Sequence, residues 1–118
     1  MAYKIQFTAD GLKDAKRLPK AVRNALAKEL RNKLAKAPST CSEQLREPLA
    51  EWRSFHCGKH RVIFKLYEEM KLVAIAGIGK HSSQPTQDVY RRLELLAKRG
   101  RLADDILAAL RGFSTSTE

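Results

Sequence analysis

Polar and apolar residues alternate at the start of the chain, where Tyr3, Ile5 and Phe7 are interleaved with Lys4, Gln6 and Thr8. That is the period of a half-buried strand. Residues from about Ala9 to Arg17 then predict a short helix, with Thr8 or Asp10 near its start and Pro19 just beyond its end. A proline is well suited to the first turn of a helix, so a second helix is expected from Pro19 to about Lys36, where Ala37-Pro38 stops it. Its core stripe is Val22, Leu26, Leu30 and Leu34, every fourth residue, with Lys20, Lys28 and Arg31 roughly opposite. The two segments predict a helical hairpin packed on a sheet.

Pro38 to Ser42 is a polar connection, after which the chain turns extended. Trp52 to Cys57 predicts a strand, Gly58-Lys59 a tight turn and His60 to Tyr67 the next strand, with Val62, Phe64 and Leu66 on one face and Arg61, Ile63 and Lys65 on the other. Glu68-Glu69-Met70 turns the chain again. Leu72 to Ile78 is almost wholly apolar, the signature of a central strand covered on both faces. The order is therefore strand, helix, helix and an antiparallel meander, an α+β domain. Thr86 to Lys98 predicts a further helix presenting Val89, Leu93 and Leu96, and Gly100 breaks it. Leu102, Ile106 and Leu110 predict a last helix closed by Gly112, so residues 99–118 form a C-terminal helical extension ending in a frayed tail from Ser114. At 118 residues the chain is long enough for one modest core and is expected to be a single domain, 1–118.

Charge narrows the range of partners. The chain carries a formal +10, and the segment before Pro38 holds ten basic residues against three acidic ones. A field of that sign speeds encounter with polyanions and favours salt-sensitive phosphate binding, so nucleic acid, an RNA-rich assembly or an acidic protein fits. A basic helix face that merely keeps a small protein dissolved is the plainer alternative. No stretch approaches the roughly 20 apolar residues of a membrane span, and the first residues lack the layout of a secretion signal. A cytoplasmic protein is expected. Two cysteines, Cys41 and Cys57, without Cys-x-x-Cys spacing, fit ordinary thiols in a reducing compartment.

Side chains able to handle a phosphodiester cluster between Glu43 and Tyr90: Arg53, Lys59, His60, Arg61, Lys80, His81 and Tyr90 stand along or just beyond the predicted strands. Phosphate needs cations, and transfer chemistry needs proton donors and acceptors. His56, Cys57 and His60 invite a metal reading, but neighbours on a strand point to opposite faces, so no metal and no cofactor is expected. There is no phosphate-cradling glycine loop, no Ser-His-Asp pattern and no nucleotide fingerprint. Trp52 is expected to anchor the core beneath the meander.

Leu45-Arg46 followed by Leu49 and Trp52-Arg53, the strand His60-Arg61-Val62-Ile63-Phe64, the apolar strand ending Gly79-Lys80-His81, and Asp88-Val89-Tyr90 resemble, in order and spacing, the RelE/ParE superfamily of toxins from type II toxin–antitoxin pairs. The resemblance covers roughly Met1 to Leu96. It implies a RelE-like fold, a small antiparallel sheet with an N-terminal helical hairpin and C-terminal helices. RelE- and YoeB-like members cut messenger RNA in the ribosomal A site, whereas ParE-like members inhibit DNA gyrase without being nucleases. A cognate acidic antitoxin, the ribosome and mRNA are the implied partners, with no membrane, and with DNA reached only through the antitoxin.

The resemblance also assigns roles. Arg61 matches the arginine that nuclease members place at the scissile phosphate; its plain alternative is an arginine paired with Glu68 or Glu69. His81 falls where RelE-like proteins carry an arginine and YoeB-like proteins a histidine taken as general acid; alone, it reads as a solvated loop histidine. Glu43 falls where YoeB-like proteins have a glutamate base, with His60 as the alternative base and a solvated carboxylate as the plain reading. RelE-like proteins instead use lysines near Arg53, and Phe55 occupies the site of the second. Tyr90 matches a tyrosine that stacks on a base or orients the phosphate, and a helical surface role fits it equally. Arg53, Lys59, Lys80 and His60 complete the expected RNA- and phosphate-binding set. The leading expectation is a ribosome-dependent, metal-independent mRNA endoribonuclease toxin; the rivals are a ParE-like gyrase inhibitor and a RelE-like binding protein without activity.

Overall fold

The computed structural model describes residues 2–46, 49, 51–80 and 89–98. The first strand, β1 (Lys4–Phe7), leads directly into helix α1 (Ala9–Arg17). Thr8 caps that helix, its hydroxyl accepting from the Gly11 N–H at 3.0 Å, while its own N–H donates to the Ile75 carbonyl at 2.9 Å. Helix α2 (Lys20–Glu29) follows Pro19 and continues into a more widely wound turn, Leu30–Leu34, where the Ala35 N–H reaches back five residues to the Leu30 carbonyl at 2.8 Å. Leu26, Leu30 and Leu34 of the expected stripe are buried, and Val22 is half-buried.

The remaining strands are β2 (Glu43–Gln44), β3 (Arg53–Cys57), β4 (His60–Tyr67) and β5 (Leu72–Lys80), and α3 (Val89–Lys98) closes the described chain. The expected meander is present as β3, β4 and β5, and the sheet is extended at both edges to the order β1-β5-β4-β3-β2. β1 lies parallel to β5 and every other pairing is antiparallel, so the sheet is mixed. The parallel edge follows from the hairpin, because α1 and α2 carry the chain across one face before it re-enters the sheet. The tail expected over 99–118, the break at Gly100, and the first residues of the Thr86–Lys98 helix lie outside the described residues.

Each face of β5 covers its own core, as its apolar run predicts. Val73, Ile75 and Ile78 pack with Phe55, Val62, Phe64 and the α2 leucines; Ala74 and Ala76 pack with Leu49, Trp52, Ile63, Val89 and Leu93. A register shift between Ile63 and Phe64 lets both Ala76 and Gly77 turn toward α3. Trp52 is buried beneath the meander, as anticipated.

Two features lock the helices to the sheet. Gly11 is buried against β5, where an added Cβ would run into the Ile75 carbonyl, backbone that cannot swing aside. Gly11→Ala is therefore expected to lower stability by about 1–3 kcal/mol, visible as a lower Tm, although alanine is the better helix former. An unchanged Tm would show that α1 is free to lift from the sheet. The second feature is Asp14, whose carboxylate accepts from the Ile78 N–H at 2.9 Å and from both terminal nitrogens of Arg92, at 3.1 and 2.6 Å. One side chain thus ties α1, β5 and α3 together. Burial pushes the Asp14 carboxyl above its ordinary pKa, against the opposing pull of the Ile78 N–H and the Arg92 charge.

Candidate active site

The β3–β4 turn decides which side chains meet. Gly58, at φ +60°, supplies the left-handed residue that a two-residue hairpin loop requires. With only Gly58 and Lys59 in the loop, Cys57 pairs with His60 and His56 with Arg61. Paired residues on neighbouring strands share a face, so His56, Arg61 and Gly79 form one row across the sheet, and Glu43, Ser54, Ile63 and Gly77 form the next. Ile63 packs against α3, which places both rows on the α3 face.

On that face Tyr90, at the start of α3, shares a 2.8 Å hydrogen bond between its hydroxyl and that of Ser54. Glu43 and His56 are exposed, and together with Ser54, Thr40, Cys41 and Ser42 they line a shallow depression of 220 Å³. Diagonal neighbours across an antiparallel pair sit about 7–8 Å apart, which leaves room for a phosphate between Glu43 and His56. Arg61 is half-buried, and its Nη1 donates to the carbonyls of Gly58 and His60 at 3.1 and 3.2 Å. Among the described residues its Nε and Nη2 make no contact, so a guanidinium edge remains for an anion. The alternative pairing of Arg61 with Glu68 or Glu69 is not formed: Glu68 accepts instead from the Tyr3 hydroxyl at 2.6 Å.

The other expected residues lie elsewhere. His60 and Lys80 share the opposite face with Cys57, and with Lys59 they border a groove beside α2. Burial, followed by the nearby Lys80 charge, holds His60 below its ordinary pKa, so it is neutral at pH 7 and suited to accept a proton, but not at the Arg61 face. Arg53 is engaged by the connection ahead of β2: its Nε donates to the Ser42 hydroxyl at 2.7 Å, and its Nη2 to the Ser39 and Ser42 carbonyls at 2.9 and 3.0 Å. Ser42 in turn donates to the Pro38 carbonyl. This clamp holds the segment that delivers Glu43. His81 and Asp88 lie outside the described residues.

Sequence reasoning passed over His56 and Ser54. The signal for both was the two-residue turn, which alone fixes the register and so sets His56 beside Arg61. Phe55, read as standing in for a lysine, is buried in the α2-side core. Its neighbours on the strand, Ser54 and His56, hold the site-facing positions. Among the described residues no group of three or more His, Cys, Asp or Glu side chains is placed to hold a metal ion, and no helix is long and apolar enough to cross a membrane.

Residues 5–85 match the family described as the ParE toxin of the type II toxin–antitoxin system parDE. No curated protein matches the chain. Among solved structures, the toxin–antitoxin complex RelBE2 from Mycobacterium tuberculosis is similar at 24% identity and TM-score 0.65, covering 68% of this chain and 92% of that one. A mutant of the E. coli toxin RelE in its free state is similar at 23% identity and TM-score 0.58, covering 77% and 98%. The archaeal RelE–RelB complex from Pyrococcus horikoshii OT3 is similar at 20% identity and TM-score 0.56, covering 71% and 100%. These likenesses establish the α+β fold of RelE structures.

Proposed function

The chain belongs to the ParE toxin family of type II toxin–antitoxin systems, and from that premise we propose that it arrests translation by cutting messenger RNA on the ribosome. The observation that carries this reading is the row His56–Arg61 beside Glu43 and Tyr90, which groups proton-transfer side chains around a guanidinium on one accessible face. A protein that only binds has no need of that grouping.

Cleavage would run as an internal transfer. A base, Glu43 or His56, takes the proton of a ribose 2′-OH; the oxygen attacks the adjacent phosphorus; the bond to the 5′-oxygen breaks. That oxygen takes a proton from an acid, His81 or His56, leaving a 2′,3′-cyclic phosphate and a 5′-hydroxyl. Arg61 stabilises the charge that builds on the phosphoryl oxygens, and Tyr90, held by Ser54, stacks on a base or fixes the phosphate. No step requires a metal. The excess of basic residues before Pro38 docks the protein on ribosomal RNA, and an acidic antitoxin, the kind of partner present in the similar RelBE2 and RelE–RelB complexes, would neutralise it.

Induced expression followed by mapping of 5′ ends on translated messages tests this. Codon-phased cuts are expected. His56→Ala and His81→Ala are each expected to slow cleavage by about 10²-fold or more if that histidine transfers a proton, and the one serving as acid removes the alkaline limb of the pH–rate profile. The family match favours one other reading, gyrase inhibition: growth arrest with DNA damage signalling and no cuts would establish it.

A further inference from the structure

The groove on the far side of the sheet from Arg61 is unused by this chemistry. Its volume is 510 Å³, within the range of sites that seat several side chains. One wall is α2, contributing Ala21, Val22, Ala25 and Leu26, which recur as i, i+1, i+4, i+5 on one side of the helix; the other is Cys57, Gly58, Lys59, His60 and Lys80 at the end of the β3–β4–β5 meander. The floor is apolar and the rim is cationic. The single acid on the rim, Glu29, is already paired with Lys33 at 3.0 Å, so its charge does not cancel Lys59 and Lys80. His60 is held below its ordinary pKa by burial and by Lys80, and so adds a neutral ring to the floor.

We propose that this groove docks an amphipathic helix of an acidic partner protein, apolar side chains between α2 and the β3–β4 turn, carboxylates against Lys59 and Lys80. The inference rests on the toxin–antitoxin reading and names the surface at which the antitoxin would be held. A helix suits the site better than a strand, because Ala21 and Ala25 are small and exposed where a second helix would cross α2, permitting a close interaxial approach. Charge complementarity selects its composition, since a basic or neutral segment would leave two lysines at the rim without counter-charge. Docking here leaves the Arg61 face open, so this contact supplies affinity while a different segment of the partner would block the chemistry.

Cys57 lies in the groove and Cys41 outside it, which provides a direct reporter. In a Cys41→Ser background, the rate of Cys57 modification by a thiol reagent is measured with and without a synthetic amphipathic peptide bearing Leu and Ala on one helical face and Glu on the other. The peptide is expected to slow modification several-fold, whereas a scrambled peptide of equal charge does not. Ala25→Glu, a substitution at an exposed position, is expected to weaken peptide binding by about tenfold or more through like-charge repulsion and blockage, and Ala25→Ser to retain it. Translation arrest by Ala25→Glu should remain intact. Binding that is indifferent to Ala25→Glu overturns the inference, as does protection of Cys57 by a single-stranded oligonucleotide but not by the peptide, or protection that rises with protein concentration alone. Because arrest is scored separately, loss of arrest in the wild type would indict the nuclease reading and leave the groove result standing.

Discussion

Arg61→Ala is expected to lower single-turnover cleavage of ribosome-bound message by about 10²–10³-fold, the usual consequence of removing one preorganised donor from a phosphoryl or oxyanion site. The fold should survive. Arg61 spends its bonds on two carbonyls at the β3–β4 turn and packs no core element, so the variant's Tm is expected to match the wild type. Arg61→Lys keeps the charge but loses the planar fork that grips two phosphate oxygens, and should fall between the two. The defect should appear in the cleavage step more than in ribosome affinity, because docking draws on the many cations before Pro38 and not on one side chain. Full cleavage by folded Arg61→Ala would move the catalytic centre off this face altogether.

The periodic parts of the sequence translated into structure with little loss. Alternation at Tyr3, Ile5 and Phe7, the four-residue spacing of Leu26, Leu30 and Leu34, and the apolar run Leu72 to Ile78 each answer to one local rule, and each element appears where the rule places it. What periodicity does not carry is pairing across the sheet. Nothing in Lys4–Phe7 itself says that it lies parallel to β5, because that follows from where the helical hairpin lets the chain re-enter. The site shows the same division. Arg61, Glu43 and Tyr90 were visible as residue types suited to phosphate, and they fall on one face. Lys59, His60 and Lys80 looked equivalent in the sequence, yet an even count of residues through a two-residue turn sends His60 and Lys80 to the other side. A single-residue difference in register exchanges the faces, which is why His56 was missed and Phe55 was read as a site position.

The Asp14–Arg92 pair, sixty and more residues apart in sequence, had no local signature at all, and its loss is expected to have the largest effect on stability. Arg92→Ala leaves a carboxylate that is 8% exposed with only the Ile78 N–H to offset its charge. Breaking a buried pair from one side costs about 3–5 kcal/mol; Arg92 itself is 41% exposed, so part of the pair's attraction is screened and a loss of about 2–3 kcal/mol is the better expectation. The pH dependence fixes the cause. Asp14 already has a folded pKa above its unfolded value, because burial penalises its charged form, and removal of Arg92 raises it further. A raised carboxyl pKa means that the native state binds the proton more tightly than the unfolded chain, so the penalty is complete above the folded pKa and is relieved as pH falls through it. The Tm difference between Arg92→Ala and wild type should therefore shrink on acidification from about pH 7 toward about pH 4, and a difference that is constant or grows would mean that Asp14 is not the group left stranded. Asp14→Asn, which keeps an acceptor for the Ile78 N–H without a charge to bury, should cost less than Arg92→Ala at neutral pH. Because Arg92 and Tyr90 stand on the same first turns of α3, loosening this latch should also weaken the Ser54–Tyr90 contact. The same variant is thus expected to cleave more slowly even at temperatures where it is folded, joining the stability of the α1–β5–α3 junction to the geometry of the face that Arg61 occupies.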